Sequence, residues 1–314
     1  MPSNPSKTSP EHTQTNRPAV FFRNSAIGDS IIRSVDGEHF HVHADILSSA
    51  IPLFADMLSL PQPSSSTDSP PSDSEVLNNS KKKRVILTQE SSTVWTTFIP
   101  LCYLPGFRPP ALPADLTLVR DLLAAADKFE LRAATDWVSA SLLGRCPLLK
   151  AHPLSVYALA WAYKLPEVAR LAARRALALS PDDFAALPRE FDAVAASEAF
   201  GALNAYRIAC SAAARAVTAA SVDGRLPRNY LEELTRALEF RPHAEIARSQ
   251  EMKDILLESV VERWGRCEEC HEGVYPFLVD NVTEAIRTEL EKAIEKVGHP
   301  DVVARGFLNH LRVR

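Results

Sequence analysis

Glycine is scarce, with 10 residues in 314. Phosphate-cradling loops need that residue, and no Walker loop, G-x-G-x-x-G turn, G-x-S-x-G elbow or H-E-x-x-H helix occurs in the sequence. Cysteine is equally thin. Five residues at scattered spacings do not make a disulfide framework, so a reducing compartment is the expectation. Positive charge is not in excess: 35 Lys and Arg stand against 39 Asp and Glu, a net charge of -4. That balance argues against a generic nucleic-acid binder, which usually carries a basic surplus. No apolar run approaches the roughly 18 residues of a membrane span. The opening MPSNPSKTSPEHTQTNRP lacks the apolar stretch of a secretory signal. These absences predict an intracellular protein, cytoplasmic or nuclear, without a cofactor and without enzymatic machinery of a familiar type.

What is present suits a folded protein. The chain is 46% hydrophobic and 24% charged, and its length suggests two domains at about 150 residues each. Residues 1–18 are polar and Pro/Ser/Thr-rich, and read as a disordered tail. From 19 to 145 strand and helix signals mix. Ile31 and Ile32 lie in a β-type run, and Asp36-Gly37 follows as a tight-hairpin signal in which both central positions take positive φ. EHFHVH then alternates, placing Phe40 and Val42 on one face and His39, His41 and His43 on the other. ADILSSAIPLFADML reads as two short helices, with Leu47, Phe54 and Leu58 as core candidates and Pro52 near a helix start. RVILT, from Arg84, is a further strand.

Residues 61–80 hold seven Ser and four Pro, a composition that cannot bury enough apolar area to offset its ordering entropy. They read as a disordered insertion, and their Ser-Pro and Asp content marks a phosphorylation target or a tolerated surface loop. LTLVRDLLAAADKFEL repeats Leu118, Leu122, Ala125 and Phe129 at helical spacing. Beyond Cys146-Pro147 nothing alternates like a strand. A helix pair joined near Leu165-Pro166 is predicted, then helices over about 195–221, 229–240, 249–264, 276–297 and 300–313. Residues 146–314 are therefore expected to be an all-α region, and the whole chain α+β.

The segments DSIIRSVDGEHFHVHADILSSAIPLFADML, KKKRVILTQESSTVWTTFIPLCYLPG and DLLAAADKFELRAATDWVSASLL, in that order, resemble a BTB/POZ domain. DLLAAADKF is especially similar to speckle-type POZ proteins. HPLSVYALAWAYKLPEVARLAARRALAL, AYRIACSAAARAV and the late CEEC are similar to the helical region of fungal BTB proteins. The resemblance implies a small mixed sheet flanked by helices over about 120 residues. Phe40, His43, Leu47, Phe54 and Tyr103 would occupy the family's core-pattern positions: His43 opens the first helix after the hairpin, and Tyr103 closes the helix before a glycine turn.

Three motifs invite chemistry. His39, His41 and His43 at i, i+2 and i+4 suit a strand-borne metal site, but such sites also need carboxylates or further histidines converging from elsewhere. Of the six other histidines, all but His12 fall in the helical region, so the expectation is a polar strand face with no metal. Cys267, Cys270 and His271 form C-x-x-C-H, the haem-attachment spacing, or half of a zinc site that would need more ligands, with His299 nearest in sequence. Two ordinary thiols are the default. Lys81-Lys82-Lys83-Arg84 reads as a nuclear address or as a solvated strand entry blunted by lysine. Asp182-Asp183 and Glu232-Glu233 are adjacent pairs whose side chains diverge, and an Asp of Pro-Asp-Asp suits a helix cap.

The expected function is non-catalytic protein–protein interaction, with the BTB-like part associating with itself or another BTB protein and the helical part adding a recognition surface. Phe21 and Phe22 are the exposed interface candidates, or alternatively close the domain's own core. The resemblance also implies a second role, substrate adaptor of a cullin-type ubiquitin ligase. Against it, the family's φ-x-Glu cullin contact falls in LPQPSSSTDSPPSDSEVLNNS, where Glu75 has Asp73 two places before it. The long N-terminal helix of exchanged homodimers is not evident in VFFRNSAIGD either.

Overall fold

The structure is a computed structural model that describes residues 22–24, 26–60, 83–103, 111–144, 146–186, 188, 194–221, 226–265, 267–298 and 300. The expected tail (1–18), the expected insertion (61–80) and all but residue 300 of the expected last helix lie outside them. Among the described residues the chain is mostly helical, with one small mixed sheet, an α+β composition. It separates into two compact units, 1–141 and 142–314.

The amino-terminal unit begins with β1 (Ser30–Arg33) and β2 (His39–Val42). The loop between them departs from the two-residue turn predicted. Only Gly37 has positive φ, at 83°, and Asp36 does not. Gly37 N–H donates to Ser34 O and Ser34 N–H donates to Glu38 O, both at 3.0 Å, so the chain turns first and a left-handed glycine closes it. Asp36 is thereby free to reach across to the third helix of the unit, where its carboxylate accepts from the Ser92 amide at 2.9 Å and from the Ser92 hydroxyl. Two short helices follow the hairpin, α1 (Ala44–Ala50) and α2 (Pro52–Ser59), the second with proline in its first turn. Then come β3 (Arg84–Leu87), α3 (Ser92–Cys102), α4 (Leu116–Lys128) and α5 (Arg132–Leu143).

Sheet order is β2-β1-β3, antiparallel then parallel. The register aligns Phe40, Ile32 and Ile86 in one inward row, all buried. Beneath it lies an aromatic cluster. Trp95 sits 6.0 Å from Phe54, 5.3 Å from Phe129 and 6.2 Å from Phe98, and its indole N–H donates to Thr88 Oγ1 at 2.8 Å. Gly28 is fixed by geometry. Its φ is +68°, and a Cβ there would stand 2.1 Å from Val42 O.

The carboxy-terminal unit holds α6 (Pro147–Ala151), α7 (Pro153–Ala162), α8 (Pro166–Ala176), α9 (Pro181–Ala185), α10 (Val194–Ala220), α11 (Arg228–Phe240), α12 (Gln250–Trp264) and α13 (Tyr275–Glu295). A 3-10 turn (Ala244–Arg248) and a π-turn (Cys270–Val274) complete it. α7 is apolar all round and buried along most of its length, packed by α6, α8 and α10. α8 and α10 present alanines, Ala169, Ala172, Ala173 and Ala176 on one, Ala199, Ala202 and Ala214 on the other, which let helices approach closely. Arg207, 9% exposed, donates to Phe240 O and to Leu179 O and stacks 4.2 Å over the Phe184 ring. A buried cation is thus satisfied by carbonyls and a π face. The start of α9 corrects one expectation. Ser180, not an aspartate, is the cap, accepting from the Asp183 amide at 3.1 Å while its hydroxyl donates to Asp183 Oδ2 at 2.7 Å.

Candidate interaction face

The registers that bury Phe40, Ile32 and Ile86 send the alternate residues to the other side of the sheet. His41, Ile31 and Val85 form one outward row, and His39, Arg33 and Leu87 the next. Val35 lies beyond β1, in the turn that joins it to β2. Val35, Val85 and Leu87 are 67%, 52% and 74% exposed. β3 carries β-branched and aliphatic residues on both faces, as a strand covered on both sides does. Among the described residues no strand pairs with its other edge.

At the opposite edge the predicted histidine face is not uniformly wet. The segment through Phe22 runs beside β2, and His41 N–H donates to Phe22 O at 2.6 Å. His41 is therefore 9% exposed, and its pKa is pushed down by burial first, then by the positive charges of Lys83 and His39. His39 stays exposed. His43 has left the strand altogether and stands ahead of α1, where its amide donates to the Tyr103 hydroxyl at 3.0 Å. His43 Nδ1 lies 3.0 Å from the same oxygen, within hydrogen-bond distance. Burial raises the Tyr103 pKa. His43 thus parts from the strand-borne His39 and His41, and no group of three His, Cys, Asp or Glu able to hold a metal occurs among the described residues.

Phe22, singled out as an exposed contact, is instead 1% exposed. Its ring lies 4.8 Å from that of Tyr103, so it closes the interior of its own unit beneath the His43–Tyr103 hydrogen bond. Phe21 lies outside the described residues. Of the core-pattern residues, Phe40, Leu47 and Phe54 are buried, while His43 and Tyr103 are half-buried and joined. Sequence reasoning missed Trp95 as the hub of the ring cluster. Its signal was present in STVWTTFI, where Trp95 and Phe98 fall three apart on a helix.

The basic run is partly structural. Lys83 Nζ donates to Ile27 O at 2.7 Å, and Arg84 donates to Leu58 O at 3.1 Å, fastening the start of β3 to the loop before β1 and to the end of α2. Lys81 and Lys82 lie outside the described residues, as does the segment beyond Leu60 in which the cullin contact was sought.

In the carboxy-terminal unit Cys267 is exposed and Cys270 half-buried. Cys270 N–H donates to Cys267 Sγ at 3.4 Å. The interaction between the two thiols, with the Cys270 amide second, lowers the Cys267 pKa, and the same pairing raises that of Cys270. Cys102 and Cys210, by contrast, are pushed up to about 12, chiefly by burial. The side chain of His271 lies outside what the structure describes. Among the described residues no helix is long and apolar enough to cross a membrane. No protein-family model matches the sequence, and no curated protein matches it significantly.

Proposed function

We propose that the chain is a non-catalytic protein-interaction protein of BTB/POZ type, docking through the outer face of the amino-terminal sheet, with a second copy of itself as the partner. One observation carries the reading: Val85 and Leu87 of β3 stand more than half exposed on the side of the sheet opposite a sealed inner row. Covering apolar side chains contributes about 25 cal/mol per Å² before the costs of association. A stripe on one strand is self-complementary under a two-fold axis, which matches it with its own copy. A net charge of -4 on 314 residues opposes that encounter little. His43 stands at a helix start and not on the strand with His39 and His41, which favours a binding role over hydrolysis at a strand-borne metal set.

Light scattering on the full chain tests this. The native protein is expected at twice its 34.6 kDa mass, and V85D/L87D at the mass of one chain with its thermal transition kept. Both changed residues are exposed, so the fold should tolerate them. A native protein that stays monomeric at tens of micromolar would sink the proposal.

A further inference from the structure

The second unit carries a chemical feature that a docking role does not use. α12 ends at Trp264, and Gly265 follows with φ 86° and ψ 167°, a conformation essentially restricted to glycine. The chain then restarts a helical run from Glu268 through the π-turn into α13. Cys267 stands just ahead of this run, where serine or aspartate usually caps. Its sulfur does the same work, accepting the Cys270 amide three residues on. A thiolate at that place faces the positive end of a helix. Its partner, Cys270, is one turn away, and its amide already bonds the sulfur. π-turns inside helices gather at functional sites, and this one opens on Cys270 itself.

We propose that Cys267 and Cys270 form a thiol–disulfide exchange site that reacts with low-molecular-weight disulfides of the glutathione type. Cys267 thiolate attacks one sulfur of RSSR, forming a mixed disulfide and releasing RS⁻, which takes a proton from water. Cys270 loses its proton to solvent and attacks Cys267 Sγ, expelling the second RS⁻. The sum is a protein dithiol plus RSSR giving a protein disulfide plus two RSH, with the pair oxidised and the small disulfide reduced. The roles follow from position: the attacking sulfur is the exposed one, and the resolving sulfur is half-buried behind it. Glu268, Glu269 and Glu272 flank the pair with like charge, but all three are exposed and screened. The half-buried Cys102 and the buried Cys210 have raised thiol pKa values and do not compete.

The surroundings supply a reporter. The Trp264 ring lies 6.3 Å from that of Tyr275, and the Tyr275 hydroxyl donates to Gly265 O at 3.1 Å, so these residues bracket the pair in sequence and in space. Closing a bond between 267 and 270 tightens the segment between those anchors and alters Trp264 emission.

The test uses the full-length protein in buffers of reduced and oxidised glutathione at pH 7, quenched by alkylation and mapped by mass spectrometry. A 267–270 disulfide is expected to form and reverse with the buffer ratio. C270S is expected to accumulate glutathione on Cys267, while C267S leaves Cys270 free. Iodoacetamide should modify Cys267 roughly tenfold faster than Cys146. The emission change on oxidation should vanish in W264F. Both serine variants change side chains outside the core, and circular dichroism verifies their folding. Stoichiometric zinc that shields both thiols in the purified protein would overturn the proposal, and so would a C270S variant that gains no glutathione.

Discussion

Around the centre of the amino-terminal unit, Phe54, Trp95, Phe98 and Phe129 meet ring to ring, brought from segments up to 75 positions apart. In the carboxy-terminal unit α7 packs on α8, whose buried residues include Ala169, Ala172, Ala173 and Ala176. One interior is a few large pieces. The other is many small ones that set how near two backbones come. Opposite errors should therefore damage them, a cavity in the first and an added methylene in the second.

The sharpest way to break the comparison is Trp95→Ala. It removes the hub of the ring cluster together with the indole's hydrogen bond to Thr88, at an expected cost of about 3–5 kcal/mol. Hydrogen exchange read by mass spectrometry should show the loss in peptides from 22–141 and not in those from 142–298. Equal loss in both stretches would show that the two units do not carry separate stability. Ala172→Leu is the reverse experiment. Ala172 is fully buried on α8 facing its neighbours, and the larger side chain is expected to cost about 1–3 kcal/mol through forced separation, with loss confined to 142–298. An unchanged denaturant midpoint would mean that α8 has room the packing does not show.

The two units also differ in what their sequences disclosed. Helices in the second unit were readable nearly to the residue, Val194–Ala220, Arg228–Phe240 and Gln250–Trp264 among them, because apolar periodicity and proline starts are local signals. In the first unit both β-runs, the paired short helices and the burial of Phe40, Leu47 and Phe54 were equally legible. The roles of Asp36, His43, Tyr103 and Phe22 were not. Each depends on a partner far along the chain: Ser92 for Asp36, Tyr103 for His43 and for Phe22. A dipeptide such as Asp36-Gly37 announces a turn, but turn class is decided by what the freed carboxylate can reach. Two helices end without glycine as well. Glu130 and Lys164, at φ 52° and 55°, take the left-handed position usually given to glycine, and the next amides reach back to Ala126 O and Ala160 O. The outer stripe of Val85 and Leu87 needed the strand register, which no local pattern supplies.

The smallest expected effect tests how a carboxylate serves each unit. In the second, Glu291 and Glu295 pair with Arg174, and Asp280 with Lys253, partly or largely exposed ion pairs that each contribute little. In the first, Asp36 is bonded by neutral donors instead, the hydroxyl of Ser34 foremost, then the hydroxyl and amide of Ser92 at the start of α3, and its pKa falls from 3.8 to about 2. A depressed carboxyl pKa means that the folded state holds its proton less tightly than the unfolded chain. The stability it gives is complete above about pH 4 and disappears as the pH drops through about 2. Because Asp36 is open to solvent, its worth is that of a helix-capping contact, at most about 1 kcal/mol. Asp36→Asn should therefore lower the urea midpoint of the amino-terminal unit modestly at pH 7, and the gap from the native protein should close between pH 4 and 2. Salt should barely change it, since no opposite charge is being screened, whereas the Lys253–Asp280 contribution should fade in molar salt. A gap that persisted undiminished at pH 2 would show that Asp36 acts through shape, as a turn residue, with its charge irrelevant to the tie between hairpin and helix.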